Sequence, residues 1–264
     1  MIRYLFSDID GTLLKNNDID TTTLEKIRKF ASKGNKFYLA TGRMDNEVRV
    51  LENRINLFGD YRISQNGTIV KDKSNQVIYQ SLLPENVLLP LRDYLFSFYK
   101  DPSIIIEVSD ENARYAVVER PEVFNVRFNE YPIVDSNLKD KIGITVFPTL
   151  FLILSKNEAV QQQIKTYILK NFGEYVNAVM TSLHCLEVLN KNSSKGNAIK
   201  YIVGKEGINP ENVFVVGDAE NDISMFQNFT KNSFAMVEAK THVSAHAKFR
   251  VNLVGDVLDY INKL

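Results

Sequence analysis

The chain has 264 residues, 44% hydrophobic and 24% charged, the balance of a soluble globular protein long enough for two domains. Lys plus Arg and Asp plus Glu both number 32, so the formal net charge is zero and no global field draws the chain to nucleic acid or an anionic membrane. The single cysteine, Cys185, excludes an intrachain disulfide, and the longest apolar run, Ile142 to Leu154, is too short to span a bilayer and contains Pro148.

Ile2 to Ser7 reads as a buried strand that runs into Asp8-Ile9-Asp10-Gly11-Thr12. The apolar start meets Asp8 at once, so no secretory signal is expected and a cytoplasmic protein is. Thr21-Thr22-Thr23 is expected to cap a helix with Leu24, Ile27, Phe30 and Ala31 at helical spacing, closed by Gly34. Lys36 to Ala40 reads as a second strand, leading through Thr41-Gly42-Arg43 to a helix that uses Val48, Leu51 and Ile55. Tyr61 to Ser64 is a third strand, and turns at Asn66-Gly67 and Asn75 lead into Thr68-Ile69-Val70 and Val77-Ile78-Tyr79. Strand and helix alternating at this length predict a parallel sheet with right-handed crossovers.

From about Pro84 to Leu189 the pattern changes. Helices are expected over Glu85 to Tyr99 and Asn157 to Asn171. Strands are expected at Ile104 to Val108, Tyr115 to Val118, Phe151 to Leu154, Val176 to Met180 and Cys185 to Leu189, an antiparallel α+β module. Alternation then returns. Ser194 caps a helix through Ile199, Ile202 and Val203, and the apolar strand Val213 to Val216 ends in Gly217-Asp218-Ala219-Glu220-Asn221-Asp222. Short strands at Ser233 to Met236 and Phe249 to Val251 precede a helix from Asp256 to Lys263. The expected fold is α/β: a Rossmann-like parallel-sheet core, residues 1–83 and 190–264, with an α+β domain inserted at residues 84–189.

Asp8 and Asp10 are two apart in an extended chain and face the same side. Two like charges so close call for a cation or a shared proton. Open parallel sheets bind ligands beyond the carboxyl ends of their strands. If the three strands are neighbours, Asp8 and Asp10, Thr41, and Asp218, Asn221 and Asp222 meet in one crevice. Asp8, Asp10 and Asp218 are hard oxygen donors of the kind Mg²⁺ prefers. Lys195 at a helix start, the Thr41 hydroxyl and the backbone N–H groups of the Thr41-Gly42-Arg43 turn complete a phosphoryl site. Other groups carry less. His242 and His246 lack a third ligand and read as a surface helix, and Cys185 beside His184 reads as a small buried strand residue. The aromatics of the insert, among them Phe96, Phe98, Tyr115 and Phe128, fit a core as well as a pocket. With no Gly-x-Gly-x-x-Gly and no P-loop, a nucleotide cradle has no support.

Asp8-Ile9-Asp10-Gly11-Thr12, Thr41, Lys195 in Ser194-Lys195-Gly196, and Gly217 to Asp222 together resemble, in order, the four motifs of the haloacid dehalogenase superfamily of phosphotransferases. The insert between Thr41 and Lys195 looks like the α/β cap of its Cof-type sugar-phosphatase subfamily. The resemblance implies that Asp8 is the nucleophile, giving an aspartyl-phosphate, and that Asp10 is first general acid and then general base. It implies Mg²⁺ held by Asp8, the Asp10 backbone carbonyl and Asp218, with Asp222 in or near that shell orienting the ligands. Thr41, Lys195, Asn221 and the backbone N–H groups of Ile9 and Gly42 would hold the phosphoryl group. The implied activity is hydrolysis of small phosphorylated metabolites, sugar phosphates or cofactor esters, under a mobile cap. A phosphosugar mutase and a non-catalytic phospho-metabolite sensor are the alternatives, and the oligomeric state is not legible. Met236-Val237-Glu238-Ala239 departs from the Met-Gly-Asn-Ala common in that subfamily, and the loop Arg250 to Gly255 is shortened, both bearing on the pocket rim.

Overall fold

The computed structural model describes residues 1–124, 131–182 and 184–264. Strand β1 (Tyr4–Ser7) is apolar on both faces because both are covered, Leu5 packing into one core and Phe6 into another. Helix α1 (Thr21–Ser32), strand β2 (Lys36–Leu39), helix α2 (Asp45–Ile55) and strand β3 (Tyr61–Ser64) follow. The cap of α1 differs from expectation. The three threonines form its first turn, and the Asp20 carboxylate accepts the Thr23 N–H at 2.7 Å. A carboxylate satisfies that N–H and also meets the positive end of the helix dipole, which a hydroxyl cannot. Beyond Asn66-Gly67, β4 (Ile69–Asp72) pairs antiparallel with β3, and β5 (Val77–Gln80) completes a three-stranded sheet.

The middle of the chain forms α3 (Glu85–Phe96), β6 (Ile104–Ser109), β7 (Arg114–Ala116), β8 (Ile133–Val134), α4 (Leu138–Lys141), β9 (Leu150–Ser155), α5 (Glu158–Phe172), β10 (Val176–Ser182) and β11 (Cys185–Asn190). Its sheet runs β10-β11-β9-β6-β7-β8, antiparallel except for the β7–β8 pair. Ile104, Ile106 and Val108 project to one face of β6 and share a core with Leu91 and Leu95 of α3 and Ile164 and Ile168 of α5. Phe96 belongs to this core, with Phe98 and Tyr115 packed at its margin; Phe128 lies outside the described residues. Cys185 is buried in β11, and burial pushes its thiol up to about 12, so it stays neutral and unreactive.

The chain then forms α6 (Lys195–Lys205), β12 (Val213–Gly217), α7 (Ile223–Asn228), β13 (Ser233–Met236), α8 (Thr241–Ser244), β14 (Phe249–Val251) and α9 (Val254–Ile261). The Ser194 hydroxyl caps α6 by accepting the Asn197 N–H at 3.1 Å. Helix α9 starts at Val254 rather than Asp256, because Asp256 reaches back to accept the Leu253 N–H at 2.9 Å. Helix α8 is a single turn that contains His242 but not His246, so the expected shared helical face does not form.

The core sheet runs β14-β13-β12-β1-β2, every pair parallel. One parallel bridge, Ala40 to Ile63, carries it on toward β3. Residues from α1, α2 and α9 bury one face, and residues from α6 and α7 bury the other. From β1 the chain proceeds to β2 on one side and later to β12 and β13 on the other. The order therefore reverses between β1 and β12, the topological switch point where a doubly wound sheet opens a crevice. Met1–Tyr79 with Ser194–Leu264 forms one compact unit, and Gln80–Ser193 forms the other. Among the described residues no helix is long and apolar enough to cross a membrane.

Candidate active site

The acids of the first motif start from strand pairing. The Asp8 N–H donates to the Val216 carbonyl at 3.0 Å, so the β1–β12 ladder carries Asp8 to the switch point. The chain then doubles back, with the Leu14 N–H donating to the Ile9 carbonyl at 2.7 Å. Gly11 permits the turn: its φ is +85°, and a Cβ there would lie 2.5 Å from Asp218 Oδ2. Gly11→Ala is expected to lower stability by roughly 1–3 kcal/mol. Chemical denaturation checks it, and a midpoint equal to wild type contradicts the strain. Thr12, which sequence reasoning did not single out, ties the two loops by donating from Oγ1 to Asp218 Oδ1 at 2.8 Å.

The loop after β12 is organised by Asp222. Its Oδ2 accepts the N–H groups of Asp218 at 2.8 Å and Ala219 at 3.0 Å. Its Oδ1 lies 2.7 Å from Lys195 Nζ, and the same Nζ lies 2.5 Å from Asp8 Oδ1. Lys195 and Asp222 have no exposed surface, so each charge depends on the other to offset lost hydration. Carboxylate oxygens of Asp8, Asp218 and Asp222 come within 4.8 Å of one another. Burial holds the Asp8 carboxyl well above the usual range against the pull of Lys195, and Asp222, Asp218 and Asp10 push it the same way. For Lys195, burial works against the ammonium, but Asp222 and Asp8 outweigh it and raise the pKa. A cluster so overcharged with hard oxygen donors fits a divalent cation such as Mg²⁺.

Asp10 stands apart from that cluster. Both its oxygens are gripped by Arg43, Nε to Oδ2 at 2.8 Å and Nη2 to Oδ1 at 2.6 Å. The hydrogen bonds that Arg43 donates to Asp10 raise the Arg43 pKa, against the opposing effect of burial. From the sequence, this turn offers the Thr41 hydroxyl and its backbone N–H groups, and the Arg43 side chain is given no role. The one available signal for the side chain was a cation just after Thr-Gly at a strand end. Thr41 is buried, and its Oγ1 accepts the Arg43 N–H at 3.1 Å.

Asn66 was missed because Asn-Gly reads as an ordinary hairpin turn. In the structure Gln65, Asn66 and Gly67 are consecutive left-handed residues, with φ of +48°, +55° and +86°, and all are buried. Their N–H groups brace the neighbouring turn: Asn66 donates to the Thr41 carbonyl and Gln65 to the Arg43 carbonyl, both at 2.9 Å. Asn66 Oδ1 also accepts Asn221 Nδ2 at 2.8 Å, which sets the amide expected to hold phosphate. Asn66 crowds Gly42, where a Cβ would lie 3.2 Å from Nδ2. Ile9 points into the core, so only its backbone is placed for the expected role. Lys15 meets the divergent Glu238 at 2.7 Å and also donates to the Asn252 carbonyl at 3.0 Å.

A family model of haloacid dehalogenase-like hydrolases matches residues 5–256. The chain belongs to that family. A Haemophilus influenzae protein provisionally named a phosphatase is 27% identical over 227 residues, 84% of this chain and 81% of its own. TM0651 from Thermotoga maritima superposes with a TM-score of 0.84 at 23% identity, covering 100% of this chain and 98% of its own. A haloacid dehalogenase subclass IIB sugar phosphatase, BT4131, superposes with a TM-score of 0.81 at 21% identity, covering 99% and 100%. The haloacid dehalogenase-like fold thus extends through the inserted unit, and the protein is an enzyme of the hydrolase class.

Proposed function

We propose that this phosphatase hydrolyses monoesters of small phosphorylated metabolites, sugar phosphates or phosphorylated cofactors, through an aspartyl-phosphate on Asp8, with Mg²⁺ as cofactor. The observation that carries the reading is the contact of Lys195 with both Asp8 and Asp222 at the switch point. It fixes a buried carboxylate where strand ends converge and masks part of its charge. A phosphate monoester dianion repels any anionic nucleophile, so such masking is the precondition for attack.

In the first step an Asp8 oxygen bonds to phosphorus and the P–O bond to the alcohol breaks. The electron pair stays on the ester oxygen, which takes a proton from Asp10. In the second step water gives a proton to Asp10 as its oxygen bonds to phosphorus and the P–O bond to Asp8 breaks. Both carboxyl groups return to their starting states. Thr41, Lys195, Asn221 and the N–H groups of Ile9 and Gly42 hold the phosphoryl oxygens. A divalent cation held by Asp8, the Asp10 carbonyl and Asp218 would neutralise phosphoryl charge. Asp222 supports the site by holding Lys195 and the Asp218 loop. We assign substrate choice to the inserted unit. No single group suffices: enzymes accelerate monoester hydrolysis by up to ~10²¹, and one hydrogen bond contributes about 1 kcal/mol.

The test is a panel of phosphate esters assayed with Mg²⁺ and again after chelation. Free phosphate is expected from several esters, and chelation should cut the rate on the order of 10²-fold or more, reversed by added Mg²⁺. An isomeric phosphosugar as product would replace hydrolysis by mutase chemistry. Tight binding of one ester with no turnover would make the protein a sensor.

A further inference from the structure

We propose that Arg43 is a positioning residue for Asp10, setting the direction in which Asp10 exchanges a proton with the ester oxygen. The proposal rests on the phosphatase reading of this site. Arg43 meets Asp10 with two parallel contacts, at 2.8 and 2.6 Å, so the planar guanidinium fixes the rotation of the carboxylate as well as its place. A carboxylate has about four lone-pair positions, and a two-pronged arginine occupies two of them. The remaining two face away from Arg43, and there the proton passes between Asp10 and the ester oxygen as the P–O bond breaks.

Arg43 is itself held firmly. Its N–H donates to Thr41 Oγ1 at 3.1 Å, and its carbonyl accepts the Gln65 N–H at 2.9 Å. The Thr41 N–H donates in turn to the Ile63 carbonyl at 3.0 Å. The acid at the end of β1 therefore takes its orientation from the ends of β2 and β3. Lys195 is committed elsewhere, to Asp8 and Asp222, so the two cations divide the work between nucleophile and acid. Lysine cannot replace Arg43, because a point charge holds one oxygen and leaves the carboxylate free to turn.

The experiment separates proton delivery from every other role by the leaving group. With enzyme in excess, release of the alcohol or phenol in the first turnover is timed for glucose 6-phosphate and for p-nitrophenyl phosphate. Nitrophenolate departs without a proton, whereas a sugar alkoxide needs one. Arg43→Gln is expected to slow the sugar ester on the order of 10²-fold and the nitrophenyl ester by less than about fivefold. Arg43→Lys should fall between Arg43→Gln and wild type with the same selectivity, and it carries the test if Arg43→Gln does not fold. Equal slowing of both esters overturns the proposal, because Arg43 then acts on the phosphoryl group or the fold. Unchanged rates for both also overturn it. Wild-type enzyme that releases product from no ester of the full panel, these two included, refutes the phosphatase reading itself, and the role of Arg43 falls with it.

Discussion

Asp8→Asn is expected to abolish turnover and to leave the protein at least as stable as wild type when no divalent cation is present. The two halves of this result have one cause. Burial opposes the negative charge of Asp8 most, and the charges of Asp222, Asp218 and Asp10 add to that against the pull of Lys195. Asparagine keeps the shape and the oxygen that accepts Lys195 Nζ, yet carries no charge to desolvate. An amide cannot form the aspartyl-phosphate, so the loss should reach roughly 10⁴-fold or more, the scale seen when an enzyme loses its nucleophile. Steady-state phosphate release measures the first half, and a thermal melt in chelator measures the second. Retained turnover removes Asp8 as nucleophile. A large fall in melting temperature shows instead that its charge holds the loops together.

Lys195→Met is expected to give the opposite pattern, a loss of both activity and stability. Lys195 is the fully buried partner of two carboxylates. Methionine fills similar volume but leaves Asp8 and Asp222 facing each other without compensation. Breaking one side of a buried ionic contact costs on the order of 3–5 kcal/mol. Asp222 also anchors the Asp218 and Ala219 N–H groups, so the damage should spread into that loop. Turnover should fall by about 10³-fold, because in the proposed mechanism the ammonium would both mask the nucleophile and stabilise the phosphoryl group. Urea denaturation and a phosphate assay check the two effects. A variant within tenfold of wild-type activity would remove Lys195 from the chemistry. Double replacement, Lys195→Met with Asp222→Asn, should recover part of the stability and little of the activity.

The strand ends that build this site are legible because each combines a fully apolar run with an abrupt polar turn. Val213 to Gly217 followed by Asp218 is the clearest example, and all five strand residues are buried. Asp8, Thr41, Lys195 and Asp218 follow from that pattern with helix starts and hard-ligand chemistry. The grip of Arg43 on Asp10 does not, since it joins the loops that follow two strands whose adjacency is a property of the folded sheet. Asn66 is hidden for another reason. Hairpin turns and strained, buried left-handed segments use the same Asn-Gly pair, and only burial tells them apart. At α1 several capping residues stood side by side, and the carboxylate took the position because it meets both the free N–H and the dipole.

The reversal of strand order has a consequence for how the enzyme is made. Asp8 meets Lys195 across 187 positions, and Thr12 meets Asp218 across 206. At a synthesis rate of ~5–20 residues per second, β1 waits on the order of 10–40 s for β12 to leave the ribosome. Throughout that interval one edge of an apolar strand stays unpaired. Gln80–Ser193 is continuous in the chain and has its own core, so it can finish folding while the catalytic sheet is still half built. Nascent chains in which Ser193 has left the ribosome and β12 has not should therefore bind chaperones through the N-terminal strands, although the inserted unit is already folded.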